Sequence, residues 1–243
     1  MEQINQIRNL SIWIFLIPVV VINLCLLISI NYNLFENTIF VVDQIGRSNF
    51  SIPYMDGGLS ISRASRTYPA YLLFKPFMLI TGVILIVYWI KIKNLINKID
   101  NENNQKRSFL IYGILSAIFL IFHSIFLGVN FDYNLFKLFR RIILLGFVLF
   151  EIIAQSLLII ALYKIKEKIT EITNRKILIV KMVLVLTLII VALAAIPILI
   201  KENNVHFKHA LEWNYFIGVI SFYLLSFLFW KKSETKVHTP EGV

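Results

Sequence analysis

The residue best placed to do chemistry in this chain is a glutamate inside an apolar run. Glu151 follows Ile142-Ile-Leu-Leu-Gly-Phe-Val-Leu-Phe. It lies about ten residues beyond Arg141, which at ~1.5 Å per helical residue puts it ~15 Å in, near the midplane of a bilayer. An ionised carboxylate at that depth must pair, protonate or line a wet cavity. Gln155 stands one turn further along the same face. Two readings stay open for Glu151. It is a proton or substrate ligand, or a protonated acid hydrogen-bonded to a neighbouring helix as glue. His123, with Ser124 beside it, lies in a different apolar run. It is placed to meet Glu151 across a helix pair, or to pack as a hydrogen-bonding residue.

A second group precedes the last apolar run. His206, His209 and Glu212 stand at i, i+3 and i+6. On a helix the first two share a face and the third has rotated away, whereas zinc needs three or four converging ligands, so no metal site is expected. As a helix start, Glu212 complements the positive end of the dipole and Trp213 anchors the interface. A third group is Ser51-Ile-Pro-Tyr-Met-Asp-Gly-Gly, whose Pro, Asp and Gly-Gly specify a tight turn that Asp56 caps or closes. Arg63 and Arg66 follow it. They are candidates for phosphate head groups, and Arg63 for a pair with Asp56 or Glu212, against the alternative of simple solvation. Asn49-Phe50-Ser51 is a glycosylation sequon, relevant only on the lumenal side of a eukaryotic membrane. Serine-histidine-aspartate order, a phosphate loop and Cys-x-x-Cys are all missing from the sequence.

Apolar runs supply the elements that carry these residues. They lie at about 10–30, 70–90, 108–129, 142–163, 177–200 and 212–230, each long enough to cross a bilayer. The first contains Pro18 and is too long for a signal-peptide core. The second carries Lys75 and Pro76 near its start, and the fifth carries Lys181 near one end and Pro197 near the other. Residues 31–69 form the longest polar connection. Basic links at 91–107 and 164–176, a short aromatic and basic link at 130–141 and a polar tail at 231–243 complete the chain. The expected fold is an all-α integral membrane protein. It is a single domain, a six-transmembrane-helix bundle with a long outer loop between helices 1 and 2.

Composition agrees. Of 243 residues, 58% are hydrophobic, and the mean hydropathy of +0.76 is more than a soluble domain of this length can bury. The net charge of +10 flanks the apolar runs, so orientation and anionic lipid explain it before nucleic acid does. One cysteine, Cys25, excludes an intramolecular disulfide framework. Lys and Arg are in excess on the side of the two termini, which places both termini in the cytoplasm and the 31–69 loop outside or in a lumen.

In order along the chain, these features resemble the Frag/DRAM/Sfk family of six-pass membrane proteins. The residues carrying the resemblance are Pro53, Tyr54, Asp56 and Gly58, then Gln155 and Ser156, then Glu212-Trp213 with Phe222-Tyr223-Leu-Leu-Ser-Phe227. The family turn usually reads Pro-Tyr-Ile-Ser-Asp-x-Gly, and here one residue is missing between Tyr54 and Asp56. Glu151 is not part of the family pattern. The group includes autophagy modulators, a factor that remodels GPI-anchor lipid and the N-terminal domain of a Cwh-type cell-wall protein. The resemblance implies an endomembrane or plasma-membrane protein linked to lipid remodelling, lipid organisation or autophagy, and it supplies no catalytic residue.

Three functional readings follow. The first is a non-catalytic factor that organises membrane lipid or assists a lipid-modifying or trafficking protein. The second is an intramembrane enzyme acting on a lipid or glycolipid through His123, Glu151, His209 and Glu212, which requires those side chains to converge. The third is a proton-coupled carrier centred on Glu151, which requires an open path to it. Membrane lipids are the expected partners; neither nucleic acid nor a cofactor is expected.

Overall fold

A backbone in lipid must satisfy its own hydrogen bonds, and long helices do so within one segment. The computed structural model describes residues 2–35, 38–39, 50–100, 108–129, 134–200 and 204–232. The sequon residue Asn49 and the tail from 233 lie outside the described residues.

The six long helices are α1 (Glu2–Ile30), α3 (Ala70–Ile99), α4 (Ser108–Phe126), α5 (Asn134–Lys164), α6 (Arg175–Ile200) and α7 (Val205–Phe229). Each holds a window long and apolar enough to cross a membrane. The short α2 (Ile61–Arg66) lies within the connection from α1 to α3. Neighbours run α1–α3–α4–α5–α6–α7 and back to α1, and α5 also touches α7 across the ring. At the end of the bundle holding the N-terminus, α3, α5 and α7 finish and α6 begins. The other end carries the 50–69 segment and is called here the loop end.

Several helices outrun the apolar runs of the sequence. α3 continues through Ile99, over residues expected in a basic link. Ile92, Leu95 and Ile96 are buried there while Lys98 is exposed and Lys91 and Lys93 are half-buried, Lys91 donating to Gln6 of α1 at 2.8 Å, the spacing of an amphipathic helix. α1 begins at Glu2 rather than near residue 10 because Ile4 and Ile7 already pack inward. α5 begins at Asn134, within the expected aromatic link. α7 begins at Val205, so Glu212 is in its third turn. That overturns the expectation that Glu212 complements the helix dipole, whose effect fades beyond the first turn.

The core has two main parts. Tyr88, Trp89, Phe109, Tyr223 and Trp230 belong to the larger cluster, toward the terminal end. Gly113 lets it close: a Cβ there would meet the Trp89 indole at 2.3 Å. The smaller cluster, at the loop end, joins Cys25 of α1, Leu59 and Ala64 of the loop segment, Phe74 of α3 and Trp213 of α7.

Candidate functional site

The loop end is a clamp between residues 51–62 and α7. Asp56 closes the turn: Oδ1 accepts from Gly58 N–H at 2.8 Å and Ser51 Oγ at 2.8 Å, and Oδ2 accepts from Ile52 N–H at 2.7 Å. The Gly58 N–H foremost, with the Ile52 N–H and the Ser51 hydroxyl, holds the Asp56 carboxyl below the usual carboxylate range. Gly57 has φ +60°, and a Cβ on it would lie 1.8 Å from the His206 carbonyl oxygen. Only glycine combines that conformation with that approach.

Four side chains of α7 then hold the loop. His209 Nδ1 bonds the Gly57 carbonyl at 2.9 Å. Ser62 N–H donates to Glu212 at 3.4 Å, and the indole N–H of Trp213 donates to the Leu59 carbonyl at 2.7 Å. Asn214 donates to the Tyr54 carbonyl at 2.8 Å. The Tyr54 ring packs edge-on against Trp213 with centroids 4.9 Å apart, and its hydroxyl donates to Asn23 of α1 at 3.1 Å. Burial pushes the Tyr54 hydroxyl pKa up. Ser60 caps α2 by accepting from Arg63 N–H at 3.2 Å. The Arg63 side chain is exposed and Arg66 is half-buried. Among the described residues no ion pair joins Arg63 to Asp56 or Glu212; the partner of Glu212 is the backbone of Ser62.

Deeper in the bundle, Glu151 is 1% exposed and binds three helices together. Ser116 of α4 lies 2.5 Å from Oε2. Gln155, a turn along α5, donates to Oε1 at 2.9 Å and to the Val219 carbonyl of α7 at 3.1 Å. The Tyr223 hydroxyl of α7 also donates to Oε1. The expected meeting of His123 with Glu151 does not occur. His123 is seven residues beyond Ser116, ~10 Å along the helix, and packs edge-on to Phe74 at 6.4 Å.

A cavity of about 20 Å³ adjoins Glu151, room for about one water. Tyr223, Thr81 and apolar side chains line it, but His123, His209 and Glu212 do not. The convergence that lipid hydrolysis would require is therefore missing: Glu151 lies inside the bundle, while His209 and Glu212 hold the loop. Among the described residues no group of three or more His, Cys, Asp or Glu is placed to hold a metal.

Sequence reasoning did not select Lys181. It is 1% exposed, donates to Ser226 Oγ at 2.9 Å and lies 3.9 Å from the centre of the Phe222 ring. Its signal was available, since it is the single charged residue between Ile177 and Ile200.

Fold and site together define an integral, multi-pass membrane protein: a six-span helical bundle with a loop clamped to its last helix. Comparison with models of known families, with curated proteins and with solved structures finds no match for this chain.

Proposed function

We propose that this protein is a non-catalytic lipid-organising or accessory factor in membrane lipid remodelling or trafficking, of the Frag/DRAM/Sfk kind. One observation carries the reading. The side chains of the loop end with chemical potential, Asp56, His209 and Glu212, are engaged in docking residues 51–62 onto α7. The docked loop leaves the Arg63 side chain exposed at the membrane end of the bundle, within reach of an anionic head group. Support also comes from α6, where only 22% of the most apolar window is buried in the protein, which leaves a broad face for lipid. The termini lie in the cytoplasm and the docked loop on the opposite side of an endomembrane or the plasma membrane, as the distribution of Lys and Arg favours.

The test is turnover. Purified protein incubated with membrane lipid extract should release no ester or amide product. The variants D56A and E212A should instead lose loop docking or partner binding. Turnover by the wild type that disappears in these variants would overturn the reading.

A further inference from the structure

Two titratable side chains take no part in the clamp, and α7 connects them. Glu151 on α5 and Lys181 on α6 are each 1% exposed. Tyr223 donates to Glu151, and Ser226, one turn further along α7, accepts from Lys181 at 2.9 Å. Tyr88 of α3 touches both partners. Its ring lies edge-on to Tyr223 with centroids 5.1 Å apart, and its hydroxyl donates to Ser226 at 3.4 Å. Ser226 is fully used: its hydrogen goes to the Phe222 carbonyl at 2.8 Å, and its lone pairs take Lys181 and Tyr88.

The acid end is built for two charge states. Ser116 Oγ lies 2.5 Å from Glu151 Oε2 and 2.9 Å from the Gly113 carbonyl, and its one hydrogen cannot serve both. When the carboxylate is ionised, Ser116 donates to Oε2. When Oε2 carries a proton, the carboxyl donates to Ser116, which turns its own hydrogen to Gly113. Oε1 keeps Tyr223 and Gln155 as donors in both states. One hydroxyl rotation accommodates the proton, and no heavy atom needs to move.

We propose that Glu151 is an internal proton-binding site whose charge is set by Lys181, through the turn of α7 that touches both. The reaction is the uptake of one proton from the aqueous medium by a carboxylate to give a carboxylic acid. Around the ammonium, among the described residues, are Ser226 and the rings of Phe222 and Phe229, at 3.9 and 5.3 Å, rather than a carboxylate. In the low-dielectric interior a charge on Lys181 is felt at longer range than it would be in water. The titratable groups facing the pair are Tyr88 from α3 and Tyr223 from α7; α1 contributes Ser11, hydrogen-bonded to Tyr88, and α4 contributes Ser116. This inference is independent of the lipid reading.

Infrared spectra of the purified protein in lipid, taken across pH, identify the Glu151 acid band by its loss in E151Q. In K181M the pH at which that band is half-formed should move about one unit to the alkaline side, the interaction expected of groups that titrate as a pair. S226A, which removes the hydroxyl that accepts from the ammonium, should move it less and in the same direction. K181R keeps the charge and should leave it near the wild-type value. A midpoint equal in wild type, K181M and S226A overturns the proposal, as does the absence of any acid band lost in E151Q. Should K181M fail to fold, S226A decides alone.

Discussion

Asp56 holds its turn with both carboxylate oxygens, accepting from two backbone N–H groups and a serine hydroxyl. Its folded-state pKa lies below the ordinary value, so its contribution to stability is full above the unfolded value of about 3.9. That contribution is lost as pH falls through the lower folded value. Loop docking should therefore loosen in acid, as seen by hydrogen exchange over residues 51–62, and D56N should remove that acid step while weakening docking at neutral pH. Gly57 is more demanding. G57A adds a left-handed penalty of about 1–2 kcal/mol to a collision with the His206 backbone. Exchange protection of the loop should fall sharply, while the spans keep theirs. For Glu151 the expected change is smaller. Y223F deletes one interhelical hydrogen bond, worth about 0.6 and at most about 1.7 kcal/mol in a membrane bundle, to be read as a small loss in thermal unfolding. The polarity of Glu151 is legible in sequence because a carboxylate in an apolar run always stands out. Whether Lys181 snorkels to the interface or turns inward depends on which face of α6 meets α7, and that is set by packing rather than by local sequence.

At the scale of elements, the loop and α7 are one unit, although about 150 residues separate them in sequence. Trp213 is the pivot: it is buried, its indole bonds Leu59, and its ring packs on Tyr54. W213F keeps most of the packing and loses the hydrogen bond, and should cost about 1 kcal/mol, measured as a lowered melting temperature of the detergent-solubilised protein. Glu212-Trp213 could be picked out from the sequence as a pair of note. Its partners could not, because Leu59 and Ser62 present backbone groups that carry no residue signature. The same limit explains the misplaced helix start. Val205 to Leu211 is polar enough to read as a link, yet it is helical, and its His206 backbone abuts Gly57 of the loop.

For the molecule as a whole, six spans follow from six apolar runs because lipid leaves a crossing segment few alternatives to a helix. The order of helices around the ring, and the α5–α7 contact that closes the Glu151 network, could not be read this way. They arise from side-chain fit between segments far apart in sequence. Six crossings put both termini on one side, so tags at the two ends of vesicle-reconstituted protein should share one pattern of protease accessibility. The most direct test of the account is photolabelling of the reconstituted protein with a phospholipid reactive at its head group, with labelled peptides mapped in wild type and G57A. The account predicts head-group labelling around Arg63 and Arg66 in the wild type that drops when the loop undocks in G57A. Labelling of that segment that is absent in the wild type, or unchanged in an undocked G57A, would contradict it.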